Sequence, residues 1–576
     1  MLVHGDRDAT AAPRQVLRSI TAALNTVEHC EPGPRRHDLL TSAFLETAGL
    51  LQGIADAEMQ GRGFDELSPA QDAAMALTLM LARKLTASAW SGFAAIGSGV
   101  TPELMELAIQ QLPERVTIFT PRAFALDAVY PEAYLKAAAE HPWPAPPLVI
   151  GLRSAGAALG ALVAAATGAR TVVTLRATGP ASQRELHASS QIRALLTAHQ
   201  GPFAIVDEGS AAAGGSFEAT ADLLASLGVS SDRIVFLPSQ LGGLGPAVDL
   251  RHRTRWASAA RAVATFEDLV GETPLADWFS DLTGQVARVD NLSGGAWRAA
   301  GRFAETPPAY PARERLKFRL HSASGQWLAR FAGLGVIGEA KLDRAIALHR
   351  AGFTPEPLAL RRGFLLERWE ETGAPGPLPR QRFVEQLGAY LGFRAMAFPA
   401  EDHEGASREV LAEMAQANIR EALGPDTARG LLRVLPRLVS APAGQRVHVD
   451  GRLHVWEWLR TPDDLILKAD ALDHSASHDL VGAQEIDWDI AGAKLEFDLT
   501  AHELARVRDA VRDATGERPH PAALLFFEIC YAAFQAGCWR TALAYAPAAE
   551  ATRLATQAAR YEERLGLLAQ AAESSE

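Results

Sequence analysis

Cysteine is scarce: Cys30, Cys530 and Cys538 are the three thiols in 576 residues. That number and scatter exclude a disulfide framework. Cys530 and Cys538 lie in one apolar helical stretch and could share a face, although free cysteine is commonly just a small core residue. Positive charge is not in excess either. The net charge of -12 excludes a broad basic surface for nonspecific nucleic-acid binding and leaves room only for a local patch. Long hydrophobic runs are missing. The most apolar stretches, 147–152 and 522–527, are short beside a membrane span of about 20 residues. The first 18 residues mix charge with proline and alanine and lack the apolar core of a signal peptide. The expectation is a soluble cytoplasmic protein with small-molecule partners, no nucleic acid and no membrane; a homo-oligomer is compatible with it. No internal repeat or low-complexity tract stands out, and the tail 571–576 is expected to fray. What is present, 48% hydrophobic and 22% charged residues, suits large buried cores. The chain is several times a domain of about 100–150 residues, so at least two domains are expected.

Residues 1–36 read as a ragged lead with a short helix. From His37 the pattern is helical, with Leu39, Leu40, Phe44, Leu50 and Leu51, then the run 73–85, and Ser68-Pro69 as a start signal. This predicts a helical cap over 1–114, with Asp56, Glu58, Asp65 and Glu66 on a solvated face. From Val116 the texture changes. Short apolar runs at 116–119, 148–152, 171–175, 203–206 and 233–237 alternate with helical stretches at 155–167, 185–199 and 217–228. Strands alternating with helices imply an α/β unit with a mostly parallel sheet, here 115–290. The polar stretch 291–312, with Ser293-Gly294-Gly295 and Pro307-Pro308, reads as a linker. Residues 313–576 read as α+β: a hairpin around Ser322-Ala323-Ser324-Gly325, a helix at 338–351, a strand at 363–369, helices over 380–438, short strands and loops over 446–489, and a helical end.

Two loops in the parallel-sheet unit carry chemistry. Gly151-Leu152-Arg153-Ser154-Ala155-Gly156 runs from strand to helix, as does the stretch from Asp207-Glu208 to Gly214-Gly215-Ser216. Ligands of open α/β sheets bind at such strand ends. Glycines admit a phosphate close to the backbone, and the helix that follows offers unpaired N–H groups. Two acids can hold a ribose diol, directly or beside Mg2+. The plainer alternative is a turn with acids acting as helix caps. A dinucleotide fingerprint is weaker, because 151–160 does not spell Gly-x-Gly-x-x-Gly.

The second stretch resembles the diphosphosugar motif of type I phosphoribosyltransferases, over about 115–260. The resemblance implies phosphoribosyl pyrophosphate as substrate, with Asp207 and Glu208 on the ribose hydroxyls and Ala212, Ala213, Gly214, Gly215 and Ser216 around the 5-phosphate. It also implies Arg153, Ser154, Ala155 and Gly156 as the pyrophosphate loop, and Arg176 and Arg184 on a covering loop. The turn is one residue longer than the common pattern, and Ala213 replaces a hydroxyl residue.

In the second half, Trp327-Leu328-Ala329-Arg330-Phe331, Glu339, 364–369, His454-Val455-Trp456-Glu457-Trp458-Leu459, Leu467-Lys468-Ala469-Asp470 and Ile486-Asp487-Trp488-Asp489 follow one another. This order resembles the aminoglycoside-phosphotransferase branch of the protein-kinase-like fold. The resemblance implies ATP and Mg2+, with Arg330 and Glu339 as a nucleotide-binding pair and Asp470 and Glu457 as metal ligands. Arg330 stands where the family has lysine, Glu457 where it has asparagine, and Arg452 at the catalytic aspartate position, two residues from Asp450. Arginine carries a permanent charge and cannot act as a base. His454, His474 and His478 with Asp470, Asp473 and Asp479 also invite a zinc reading, against a plain polar loop. Trp456, Trp458 and Trp488 are expected to be core anchors.

Together these readings imply phosphoribosyl transfer to a small acceptor, with phosphorylation by the second half. The competing expectation is a non-catalytic nucleotide or sugar-phosphate sensor; a third is a kinase with a regulatory first half.

Overall fold

After a short strand, Arg7–Ala11, come three long helices, Pro13–His29, Pro34–Arg62 and Pro69–Trp90, each with proline in its first turn, where the missing N–H costs nothing. Ser68 caps the third by accepting from the backbone N–H of Gln71 at 3.2 Å. The protein is seen in a computed structural model that describes residues 7–97, 99, 101–179, 184–209, 215–244, 248–271, 275–301, 303, 305–310, 314–371, 378–474, 480–517 and 520–574.

Strands Leu148–Leu152, Phe203–Val206 and Ile234–Leu237 are buried along their whole length, so they read as continuous apolar runs. With Val172–Leu175 and Ala260–Arg261 they form a parallel sheet, in the order 172–175, 148–152, 203–206, 234–237, 260–261. Helix Gly156–Thr167 covers one face together with the helical cap, while Ser190–Ala198 and Gly215–Ser226 cover the other. The strand over Val116–Thr120 lies outside this sheet and pairs antiparallel with Arg7–Ala11. An apolar run shows strand character without naming its partner. The cap's acids also correct the sequence expectation: Asp56 and Asp65 are buried, not solvated.

The second sheet is antiparallel, in the order Val286–Asn291, Lys317–Ser322, Gly325–Phe331, Phe364–Arg368, Pro357–Arg361. The expected hairpin is present, with Ser322 opposite Gly325. Its first strand is polar and half-exposed, which is why periodicity overlooked it. Phe318, Leu320, Trp327, Ala329 and Phe331 share one buried face, and that face belongs to the same core as the cap and the parallel sheet. Alternation sends Lys317, Leu328 and Arg330 to the opposite face. A second core is built from the helices after residue 380. Its central helix, Pro521–Tyr545, is apolar and long enough to cross a membrane, yet 89% of its apolar window is buried inside the protein. Cys530 and Cys538 are buried in it, and burial pushes the Cys530 thiol up.

Candidate functional site

The polar face of the antiparallel sheet looks across a cavity of about 280 Å³ toward the loops of the helical half. Lys317, Leu328, Arg330 and Glu367 line it from the sheet, and Glu457, Asp470, Asp473 and His474 from below. Trp297, Tyr310 and Glu314 close one side, and Trp456 and Trp539 another. Arg122 and Leu126 reach in from the first half.

Arg330 donates from Nε to Glu367 at 2.7 Å and from Nη1 to Asp470 at 3.3 Å and Asp473 at 3.4 Å. Burial works against its charge, and these three carboxylates outweigh it. The expected partner Glu339 is exposed on helix Val336–Arg350 and does not reach Arg330. That helix sends a cation inward instead: Lys341 is fully buried with Nζ 2.7 Å from Asp473. Burial pulls the Lys341 ammonium down to about 8. Arg315 adds a third cation on Asp473 at 2.7 Å. Arg330 thus keeps its place on strand Gly325–Phe331, but its acid comes from the neighbouring strand Phe364–Arg368 as Glu367, and the helix contributes a base, Lys341, in place of the expected Glu339.

Below the sheet, Lys468 ends the short strand Ile466–Lys468 and points Nζ at Glu457 Oε2, 2.8 Å away, and at the carbonyl of Asp470. Burial opposes the charge on Asp470, but His474, Arg330 and Arg315 hold its carboxyl well below the usual range. Among the described residues, Glu457, Asp470 and His474 offer ligand atoms that all lie within 4.8 Å of one another. Glu457 and Asp470 are the two predicted ligands; His474 joins them, while His454 does not. His454 stacks on Trp456, with centroids 4.5 Å apart, and faces Glu496. His478 and Asp479 lie outside the described residues.

Asp450 is 1% exposed. The Tyr390 hydroxyl donates to it, and Lys468 lies 3.5 Å away. Burial opposes its charge as well, and Lys468, His474 and Arg394 hold it low. Its loop is clamped from behind. Asp489, on helix Asp487–Glu496, accepts the backbone N–H groups of Asp450 at 2.7 Å and Gly451 at 2.9 Å. Arg394 holds the carbonyls of His448, Val449 and Ala471. Arg452, at the position expected for a catalytic aspartate, lines the cavity. Trp488 and Trp458 are core residues as expected, whereas Trp456 lines the cavity.

In the first half, Asp207 and Glu208 sit half-buried at the end of strand Phe203–Val206. Asp207 accepts from the Glu208 N–H at 2.8 Å, and Glu208 accepts from the Ala123 N–H at 2.6 Å. A Cβ on Gly156 would lie 2.5 Å from the Val206 carbonyl, so glycine is required where the two loops meet. Ala155 and Gly156 are buried and Ser154 is half-buried. Gly215 and Ser216 start helix Gly215–Ser226; Ala212, Ala213 and Gly214 lie outside the described residues. Arg153 departs from its predicted role. Its buried guanidinium pairs with Asp56 at 2.8 Å and with Asp65, and so joins the cap to the sheet. Arg176 pairs with Asp56 too. Sequence reasoning missed this because the acids lie about 90 residues before Arg153.

The chain matches no protein-family model and no curated protein. Among solved structures, a spectinomycin phosphotransferase in complex with ADP and spectinomycin aligns with 52% of this chain and 97% of its own, at 13% identity and a TM-score of 0.35. A choline kinase from Streptococcus pneumoniae aligns with 50% and 98%, at 12% identity and 0.33. A macrolide 2'-phosphotransferase from Brachybacterium faecium aligns with 50% and 98%, at 12% identity and 0.32. Each of these alignments covers about half of this chain and nearly all of the other.

Proposed function

We propose that the cavity of the second half binds ATP through a divalent cation held by Glu457 and Asp470, and serves phosphoryl transfer to a small molecule. The observation that supports this is the meeting of two carboxylates and His474 opposite Arg330, Arg315 and Lys317 in one cavity. Phosphoryl transfer asks a protein mainly to position reactants and neutralise charge, and these groups can do both. Glu457 and Asp470 would hold Mg2+, which would supply neutralising charge to the phosphates; Arg330, kept charged, would face them. Calorimetry with ATP tests the reading. Binding is expected with Mg2+ and is expected to weaken at least about tenfold, or about 1.4 kcal/mol, in Asp470→Asn. Binding without a cation requirement would remove it.

Binding without turnover is the second reading. Asp450, the nearest carboxylate to the expected base position, is buried and engaged by Lys468 and Tyr390, and Arg452 occupies the cavity side. A nucleotide sensor needs no base. ADP release on incubation with ATP and sugar or amine acceptors separates the two.

For the first half we propose a phosphorylated sugar, with phosphoribosyl pyrophosphate as the candidate substrate. Support comes from the paired acids Asp207 and Glu208 at a strand end and from the glycine contact between Gly156 and Val206. Arg153 is committed to Asp56 and Asp65, so any pyrophosphate contact falls to the backbone of residues 153–156. Pyrophosphate release with candidate bases, abolished by Asp207→Asn, is the expected result for an enzyme; binding with no release fits the sensor.

A further inference from the structure

Two oxygen ligands and one imidazole are an unusual choice for Mg2+. That ion demands near-octahedral oxygen coordination and gives up its waters reluctantly, whereas imidazole nitrogen favours first-row transition ions. Glu457, Asp470 and His474 bring two carboxylates and one ring together within 4.8 Å. Asp450 supplies a second, independent observation. It is 1% exposed, and its Oδ1 lies 3.7 Å from Nδ1 of His474. Lys468 Nζ lies 3.5 Å from that carboxylate, and Asp489 fixes the backbone that carries it. A fixed carboxylate against one ring nitrogen is how proteins orient a metal-binding histidine and raise its basicity.

We propose that Glu457, Asp470 and His474 form a mixed carboxylate–imidazole site that takes a first-row transition ion in preference to Mg2+, with Asp450 as the positioning residue for His474. This deepens the nucleotide reading above and rests on its assignment of a cation to this cleft. Asp450 then has a role that does not require substrate contact: with Nδ1 facing it, Nε2 is left for the ion. Lys468 is part of the balance. Its ammonium offsets the charge of three clustered carboxylates when no cation is bound, and its contact with one oxygen of Glu457 leaves the other available.

The test is a Mn2+ titration of the full chain followed by electron paramagnetic resonance, without nucleotide. One site per chain is expected, displaced by Mg2+ only at concentrations at least about tenfold higher than those of Mn2+. His474→Ala is expected to bring that ratio close to one. Asp470→Asn is expected to abolish binding of both ions, and Asp450→Asn to lower Mn2+ affinity about 10–100-fold, the range seen when such an outer partner is lost. His474 is only half-buried, and an unchanged melting temperature in its variant would show an intact fold. Equal displacement by Mg2+, or a His474→Ala variant with the wild-type ratio, overturns the proposal. ATP added afterwards distinguishes the two failures. A selective Mn2+ site that gains nothing from ATP removes the nucleotide reading and keeps this site. ATP binding that depends on Asp470, equal with either ion and indifferent to His474, does the reverse.

Discussion

Arg330 stays charged in a buried position only because Glu367, Asp470 and Asp473 surround it. Removing one partner of a buried ion pair leaves an uncompensated charge, at about 3–5 kcal/mol. Arg330→Met is therefore expected to destabilise the protein by about that amount in urea unfolding, because Glu367 is 4% exposed. Glu218 carries a different prediction. Among the described residues neither of its carboxylate oxygens has a hydrogen-bond partner, and Arg255 lies 3.4 Å away. Burial pushes its carboxyl up to about 7, against the pull of Arg255 and with the help of Asp222. A raised acid holds its proton in the folded state after the unfolded state has lost it. Stability from this group is thus full below about pH 4.5 and is lost as pH rises through 7. Glu218→Gln is expected to flatten that decline, so that the variant gains on the wild type between pH 5 and pH 8 in melting temperature. At this scale the order of segments behind the family resemblance singled out Glu457 and Asp470, and the fold brings their carboxylates within 4.8 Å of one another. The sequence was not legible for Arg153, whose partners Asp56 and Asp65 are distant in the chain; His474 entered only through the zinc reading, beside His454, which the fold turns toward Glu496 instead.

Elements were legible where one face is buried. Period-two alternation marks Lys317–Ser322 and Gly325–Phe331, and unbroken apolar runs mark the parallel strands. Arg7–Ala11 and Val286–Asn291 escaped notice because they are short and largely exposed, so pairing rather than burial holds them. Helix Asp487–Glu496 shows how an element can fix a site it does not enter. Asp489 is fully buried, and burial and the charge of Asp450 push it up to about 6. It still satisfies two backbone N–H groups of the Asp450 loop. Asp489→Ala would orphan both buried donors, each at about 1–3 kcal/mol. The expected outcome is a lower urea midpoint together with weaker Mn2+ binding, although Asp489 is not among the candidate ligands. A variant that lost stability but bound the ion as before would show that the loop needs no clamp.

Composition and the change of texture near residue 116 indicated more than one unit, and the sheets bear out a mixed architecture. The relation between the halves was not legible, because an interface of this kind is made of residues that each half already displays as ordinary core. Phe266 of the first half packs 5.5 Å from Phe364 and 6.1 Å from Phe318 of the antiparallel sheet, and Tyr130 lies 6.2 Å from Phe331. Arg362 carries the polar part: it pairs with Glu132, stacks 4.4 Å from Trp278, and gives its backbone N–H to Asp38 at 3.0 Å. The sheet's inner face therefore has no cover of its own. Residues 313–576 produced alone would expose Phe318, Leu320, Trp327, Phe331 and Phe364 together and would also lose the strand Val286–Asn291 from the sheet edge. Fully burying one such side chain is worth about 1.5–3 kcal/mol, so five of them represent about 7–15 kcal/mol, as much as a whole domain's stability. The fragment is expected to aggregate or to lack a cooperative melting transition, while the full chain melts with the antiparallel sheet and the cap in one step. A point substitution reports the same dependence without truncation. Phe266→Asp, in the first half, is expected to increase amide exchange in strand Phe364–Arg368 of the second half. Exchange that rose only in the first half would mean that the two cores unfold independently.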